Sequence, residues 1–175
     1  MSSRLEQLAA EVVRGATAAG LKINVAESLT GGLVAASLAA IPGASAVLVS
    51  GVVAYHNAAK HQLLAVPTVT LVSFGAVSAQ TAQAMAVGAR GLVENVPDIE
   101  DEKVIGLATT GVAGPDSVEG KPVGQVFVAL ATKAKELMQD RGGVIVNVSS
   151  TAASISRAVS TCTVSTPAGS ATRAG

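Results

Sequence analysis

Lys22-Ile-Asn-Val-Ala-Glu-Ser-Leu-Thr-Gly-Gly32 is the stretch whose reading decides the fold. Lys22 to Ala26 predicts a short strand. Glu27 to Gly32 then forms a turn, and an Ala- and Leu-rich helix follows, ending near Pro42-Gly43. This strand, turn and helix unit places Ser28 at the turn. Two adjacent glycines at a helix start cost stability, so their presence implies close approach of the backbone to something. Taken alone, Ser28 suits either a nucleophile or anion site near free N–H groups, or a plain helix cap shared with Thr30.

Working outward, Ser3 and Glu6 have capping-box spacing, and Leu5, Leu8, Ala9, Val12, Val13 and Ala16 recur at helical intervals, predicting a helix from about Arg4 to Ala19. Ala46 to Tyr55 is β-branched and apolar and reads as a central strand; Asn57 to Leu64 reads as a short helix closed by Pro67. Ser78 is the expected N-cap of a helix over Ala79 to Glu94. Val104 to Thr110 and Val123 to Ala131 are further strands, separated by the glycine-bearing loop Gly111-Val-Ala-Gly-Pro115 and a charged segment around Lys121. Strands alternating with helices imply an α/β layered fold.

Composition narrows the function. The 175 residues carry 12 Lys+Arg and 12 Asp+Glu, a formal charge of zero, so no electrostatic footprint for nucleic acid or an anionic membrane is present. Aromatic residues make up 2%, and Tyr55 is the one Tyr, against 49% hydrophobic residues and 18 glycines. The longest uncharged stretch, Ser28 to Ala59, is broken by Gly31, Gly32, Pro42, Gly43 and Gly51, so it reads as buried structure and not as a membrane span. The opening MSSRLEQLAAE has no basic region followed by an apolar one, so no secretory signal is expected. One cysteine, Cys162, permits no internal disulfide, and a cytoplasmic location is the default expectation.

Three constellations could carry chemistry. Ser28 is the first. Tyr55-His-Asn-Ala-Ala-Lys60 is the second: a Lys at the edge of an apolar sheet is a candidate for a lowered pKa, and its neutral amine could take a proton from a hydroxyl. His56 and His61 have no nearby carboxylate and read as surface or capping residues, so no metal is expected. Thr110-Gly-Val-Ala-Gly-Pro-Asp116 is the third, where a strand's carboxyl end would present backbone donors to a ligand. Neither GxGxxG nor GxxxxGK[ST] occurs.

Taken in order, Ala26-Glu-Ser-Leu-Thr-Gly-Gly32, Gly51-Val-Val-Ala-Tyr-His-Asn-Ala-Ala-Lys60, Gly75-Ala-Val-Ser78, Thr110-Gly-Val-Ala-Gly-Pro115 and Lys121-Pro-Val-Gly124 resemble the CinA carboxy-terminal family, over about Leu5 to Thr132. The resemblance implies a three-layer α/β/α sandwich with a mixed, mostly parallel sheet. It also implies a nicotinamide-nucleotide amidase, which hydrolyses nicotinamide mononucleotide to nicotinate mononucleotide and ammonia without metal or cofactor, typically as a homo-oligomer. Carried over, Ser28 matches the nucleophile, Tyr55 and Lys60 a general-base pair, and Thr110 a hydroxyl at the site. Thr30, Gly31 and Gly32 would cradle the nucleotide, most plausibly its phosphate, with Asn57, Gly111 and Gly114 also lining the substrate. The alternative is a catalytically impaired CinA-like homologue that binds nucleotide or serves structure.

After Ala131 the chain departs from the family pattern. The family's Gly-Asp-Arg turn has a superficial counterpart in Asp140-Arg141, too close to Lys121-Pro-Val-Gly124 for its Arg to be carried over. Gly142 to Ser150 reads as an ordinary packed strand. The expected division is a domain over 1–148, divergent over 133–148, and a loosely ordered tail over 149–175, where Ser and Thr fill twelve of 27 positions.

Overall fold

The structure, a computed structural model, describes residues 3–94, 96–133 and 145–149. Its elements are α1 (Arg4–Ala18), β1 (Lys22–Glu27), α2 (Leu33–Ala39), β2 (Leu48–Val53), α3 (Asn57–Leu64), α4 (Thr68–Phe74), α5 (Ala79–Gly91), β3 (Val104–Gly111), β4 (Gln125–Ala131) and β5 (Ile145–Ser149). The expected tail and Asp140-Arg141 lie outside the described residues.

One five-stranded sheet runs in the order β2-β1-β3-β4-β5. β1 pairs parallel with β2 and β3; β4 is antiparallel to both β3 and β5, so every strand except β4 points the same way. Helices cover both faces, which makes the three-layer α/β/α sandwich. On one face Ala9, Val13 and Ala16 of α1 and Leu38 of α2 pack against Ile23 and Val25 of β1. On the other, Ala82, Met85, Ala86 and Ala89 of α5 pack over Ala26, Ala108, Ala129 and Ala131. These α5 positions fall at i, i+3, i+4 and i+7, the stripe a helix turns toward a sheet.

Small residues on both sides of this second layer let the backbones approach closely, which is why a core with so few aromatic residues has no need of them. Gly106 of β3 lies directly beneath α5: a Cβ there would stand 1.9 Å from the Ala86 carbonyl oxygen. Gly88 plays the same part toward α3, where a Cβ would stand 2.0 Å from the Leu64 carbonyl oxygen.

Three points of the sequence reading change. Ala46 to Tyr55, expected as a central strand, contracts to Leu48–Val53 and forms the edge of the sheet among the described residues. The buried interior position beside it belongs to β1, whose residues from Ile23 to Glu27 are all buried. Thr68 to Phe74, to which the sequence reading gave no element, is the helix α4. It opens after Pro67 and ends at Gly75, and Leu71 docks on the α5-side core. Its β-branched residues are poor helix formers, so tertiary packing decides the matter. Pro67 therefore starts α4; α3 is closed by Ala65 in the left-handed region at φ 51°.

The chain's route reverses direction at β1. From β1 it crosses through α2 on one face to β2, then returns through α3, α4 and α5 on the other face to β3 on the far side of β1. Such a reversal opens the sheet at the carboxyl end of β1, the place where ligands bind in open α/β sheets.

Gly106→Ala is expected to lower stability by about 1–3 kcal/mol through overpacking, which corresponds to a drop of roughly 3 °C or more in Tm. Thermal unfolding followed by circular dichroism checks this; an unchanged Tm would mean that α5 and β3 are not in the contact described.

Candidate functional site

At the carboxyl end of β1, Glu27 and Ser28 take opposite roles. The Glu27 side chain is 1% exposed. Its carboxylate accepts the N–H groups of Gly32 (3.1 Å), Val34 (3.0 Å) and Ala35 (2.8 Å). These are donors that the first turn of α2 leaves without intrahelical partners, and they sit at the positive end of the helix, so a buried charge is compensated there. Gly32, the N-cap at φ 103°, carries no side chain to do this work. Neither Ser28 nor Thr30 caps α2: Gly31 N–H donates to the Ser28 carbonyl, and the Thr30 hydroxyl pairs with that of Thr109 at 2.7 Å.

The start of α2 is the place where the sequence suggests a phosphate seat. The N–H groups of Gly31, Gly32, Val34 and Ala35 are all engaged inside the protein, and a carboxylate occupies the position an anion would take. Glu27 belongs to the sequence motif around Ser28. The available signal was an acid at a strand end immediately before a helix that opens on two glycines.

Ser28 itself is buried, 7% exposed, and its N–H donates to the Thr109 carbonyl at 3.0 Å, which fixes the residue against β3. The N–H groups of Leu29 and Thr30, directly after it, are engaged by none of the described residues.

Lys60 lies in α3, which starts just after β2 with His56 as N-cap, its Nδ1 accepting from Ala58 N–H. The Lys60 side chain is 1% exposed. Its amine donates to the main-chain carbonyl of Tyr55 at 2.8 Å, its one hydrogen bond among the described residues. Burial pushes the Lys60 pKa below its ordinary value, and the charge of Glu119 partly opposes this. The expected proton relay between amine and phenol is not the contact observed: Tyr55 holds Lys60 through its backbone, while its own side chain is exposed at the rim.

Thr110, at the end of β3, is 1% exposed and donates its hydroxyl to the Ala76 carbonyl at 2.8 Å. It therefore fastens the segment before α5 to the sheet. Gly111 is required by close approach, since a Cβ would stand 2.4 Å from the Gln125 carbonyl oxygen and 2.9 Å from Leu29 Cδ1. Gly114 lies on the exposed loop beyond, and Asn57 is the exposed first residue of α3. Glu119, on the same loop as Gly114, accepts from Ala76 and Val77 N–H; nothing in its sequence context singled it out. A separate apolar groove of about 520 Å³ between α3 and α5, lined by Leu63, Leu64, Val87 and Leu92 among others, contains none of these groups.

The class defined by these observations is a three-layer α/β/α domain that gathers a buried Ser, a buried Lys and a buried Thr at the carboxyl ends of adjacent parallel strands or just beyond them. The chain belongs to the CinA C-terminal domain family, whose profile matches residues 5–152. The match runs past residue 132, where the resemblance was expected to fade, and takes in β5. A relative from Desulforamulus reducens, named as competence-damage inducible, is 58% identical over 114 residues, 65% of this chain and 26% of its own length. A CinA-like protein from Shewanella denitrificans is 45% identical over 127 residues, 72% of this chain and 28% of its own. The chain thus spans about a quarter of the length of the curated relatives it matches. Among solved structures, the competence/damage inducible protein CihA of Agrobacterium tumefaciens superposes with TM-score 0.66 at 40% identity, covering 82% of this chain and 78% of that one. The CinA superfamily protein KP700603 of Klebsiella pneumoniae gives 0.69 at 33% identity, covering 76% and 79%.

Glu27→Ala is expected to cost about 3 kcal/mol or more, because the donors of the α2 turn lose a charged partner, and Glu27→Gln less, because one acceptor oxygen is kept. Urea unfolding midpoints rank the variants, and an Ala variant as stable as wild type would refute the capping role.

Proposed function

We propose that this domain is an amidohydrolase acting on the carboxamide of nicotinamide mononucleotide, releasing ammonia and leaving nicotinate mononucleotide. The observation that carries the reading is the buried Lys60 amine, bonded to a main-chain carbonyl and, among the described residues, to no carboxylate, near the carboxyl edge where Ser28 and Thr110 stand. A lysine so placed is available as a neutral base.

An amide carbonyl is a poor electrophile, so its hydrolysis needs an activated hydroxyl, a proton acceptor and donors for the oxyanion. In this reading Lys60 takes the proton of the Ser28 hydroxyl as its oxygen attacks the carboxamide carbon. In the same reading the N–H groups of Leu29 and Thr30, without partners among the described residues, receive the oxyanion. Collapse of the tetrahedral intermediate breaks the C–N bond, and the Lys60 ammonium returns a proton to the departing ammonia. Water then attacks the acyl-serine as Lys60 accepts its proton, the ester C–O bond to Ser28 breaks, Lys60 returns the proton to the Ser28 oxygen, and the carboxylic acid released ionises to the carboxylate. Tyr55 serves by its carbonyl, which orients the amine, and by its exposed ring, which offers a face on which a cationic pyridinium can stack. The phosphate binds outside the first turn of α2, whose donors Glu27 occupies. The substrate is soluble, in keeping with a cytoplasmic enzyme; among the described residues no helix is long and apolar enough to cross a membrane. Assembly as a homo-oligomer belongs to the same reading.

Ser28→Ala is expected to reduce ammonia release from nicotinamide mononucleotide by several orders of magnitude while the fold is kept, since one buried hydroxyl is removed. Retention of most of the turnover would overturn the nucleophile assignment.

Lys60 must be neutral to act as base. Its pKa is lowered from 10.5, so the neutral fraction, and with it the rate, should rise with pH and level off once pH exceeds that lowered value. Lys60→Arg should be inactive across this range because its guanidinium stays charged. A flat profile, or an active Arg variant, would leave Lys60 a purely electrostatic part.

A further inference from the structure

Glu119 occupies a backbone position that its residue type disfavours. It is in the left-handed region at φ 54°, followed by Gly120 at φ 72°. The N–H groups of Val118 and Lys121 exchange bonds with each other's carbonyls across the pair. Two successive positive φ values make a tight turn whose first position suits Asn, Asp or Gly. A Glu held there against local preference points to work for its side chain.

That side chain reaches the segment before α5. Its carboxylate accepts from Ala76 N–H at 3.0 Å and Val77 N–H at 3.3 Å, and Gly75 leaves the room, since a Cβ there would stand 2.0 Å from Oε2. The same segment is held from two other sides. Thr110 of β3 donates to the Ala76 carbonyl, and the Thr81 and Ser78 hydroxyls of α5 and its cap donate to the Gly75 carbonyl at 2.6 and 3.2 Å.

We propose that Glu119 is a positioning residue of this site, seating the Gly75–Val77 main chain over the end of β3 and drawing the loop after Gly111 down with it. The inference rests on the reading of the carboxyl edge as an active site. A second consequence concerns Lys60, whose ammonium form the Glu119 charge favours. The other charged or titratable groups around Lys60 are accounted for. His56 and His61 bond to main chain, α4 has none, Arg90 of α5 pairs with Asp101, Glu27 holds α2, and Lys121 stands 3.7 Å from Glu119 itself.

Two variants test this on the protein without substrate. Glu119→Gly removes the carboxylate and relieves the backbone, so it should fold, and amide exchange at Ala76 and Val77 should accelerate about tenfold or more. Glu119→Gln keeps an acceptor but not the charge, so the Lys60 amine, followed by NMR, should titrate at lower pH than in wild type. In ammonia release from nicotinamide mononucleotide, the acid limb of the rate–pH profile should move the same way. Unchanged exchange in the Gly variant, or an unmoved Lys60 titration in the Gln variant, overturns the proposal. A wild-type protein that releases no ammonia would instead overturn the amidase reading, and the exchange and titration results would still decide the role of Glu119.

Discussion

The buried carboxylate of Glu27 is the interaction on which the arrangement depends. It sits at the end of an interior strand, and its only adequate compensation is the ring of N–H donors at the start of α2. Meeting that need fixes where α2 begins and how it leaves the sheet. Its own main chain accepts the Ala54 N–H, which ties the end of β2 to the same point, and the next residue, Ser28, is locked to Thr109. The Glu27 side chain thus fixes the start of α2, while its main chain and that of Ser28 tie three strand ends together, and the Ser and Lys of the candidate site stand just beyond two of those ends.

Much of this was legible because it is local. The capping box of Ser3 and Glu6, the cap at Ser78 before α5, the strand at Lys22 and the glycine loop after Thr110 all follow from short-range rules and all stand in the structure. What was not legible depends on contacts between segments far apart in sequence. β2 has the composition of an interior strand, yet it lies at the edge, while β1 sits between β2 and β3 with core packed on both of its faces. α4 is written in residues that prefer strands and is made helical by docking Leu71.

The site divides the same way. That Ser28, Lys60 and Thr110 all lie at or just past the carboxyl ends of β1, β2 and β3 follows from three parallel strands sharing one edge. The partners of each group were another matter: a lysine five residues after a tyrosine invites pairing with the phenol, whereas the first turn of α3 brings the amine back to the Tyr55 carbonyl instead. Likewise nothing in the two glycines at the start of α2 indicates that the neighbouring Glu27 carboxylate accepts from that turn.

The reversed direction of β4 has a consequence for how such a domain can diverge. Because β4 returns antiparallel beside β3, the connection between them begins and ends at the same edge of the sheet, with Val112 N–H bonded to the Gln125 carbonyl and Gly124 N–H to the Val112 carbonyl at its neck. Nothing in the sheet measures the length of what lies beyond that neck. Closing a longer loop adds only about 0.6 kcal/mol for each doubling. Insertions and deletions there that keep the turn bearing Glu119 are therefore nearly neutral for folding while they reshape the surface beside the site, which makes this hairpin the part of the architecture where lineages can change what is admitted.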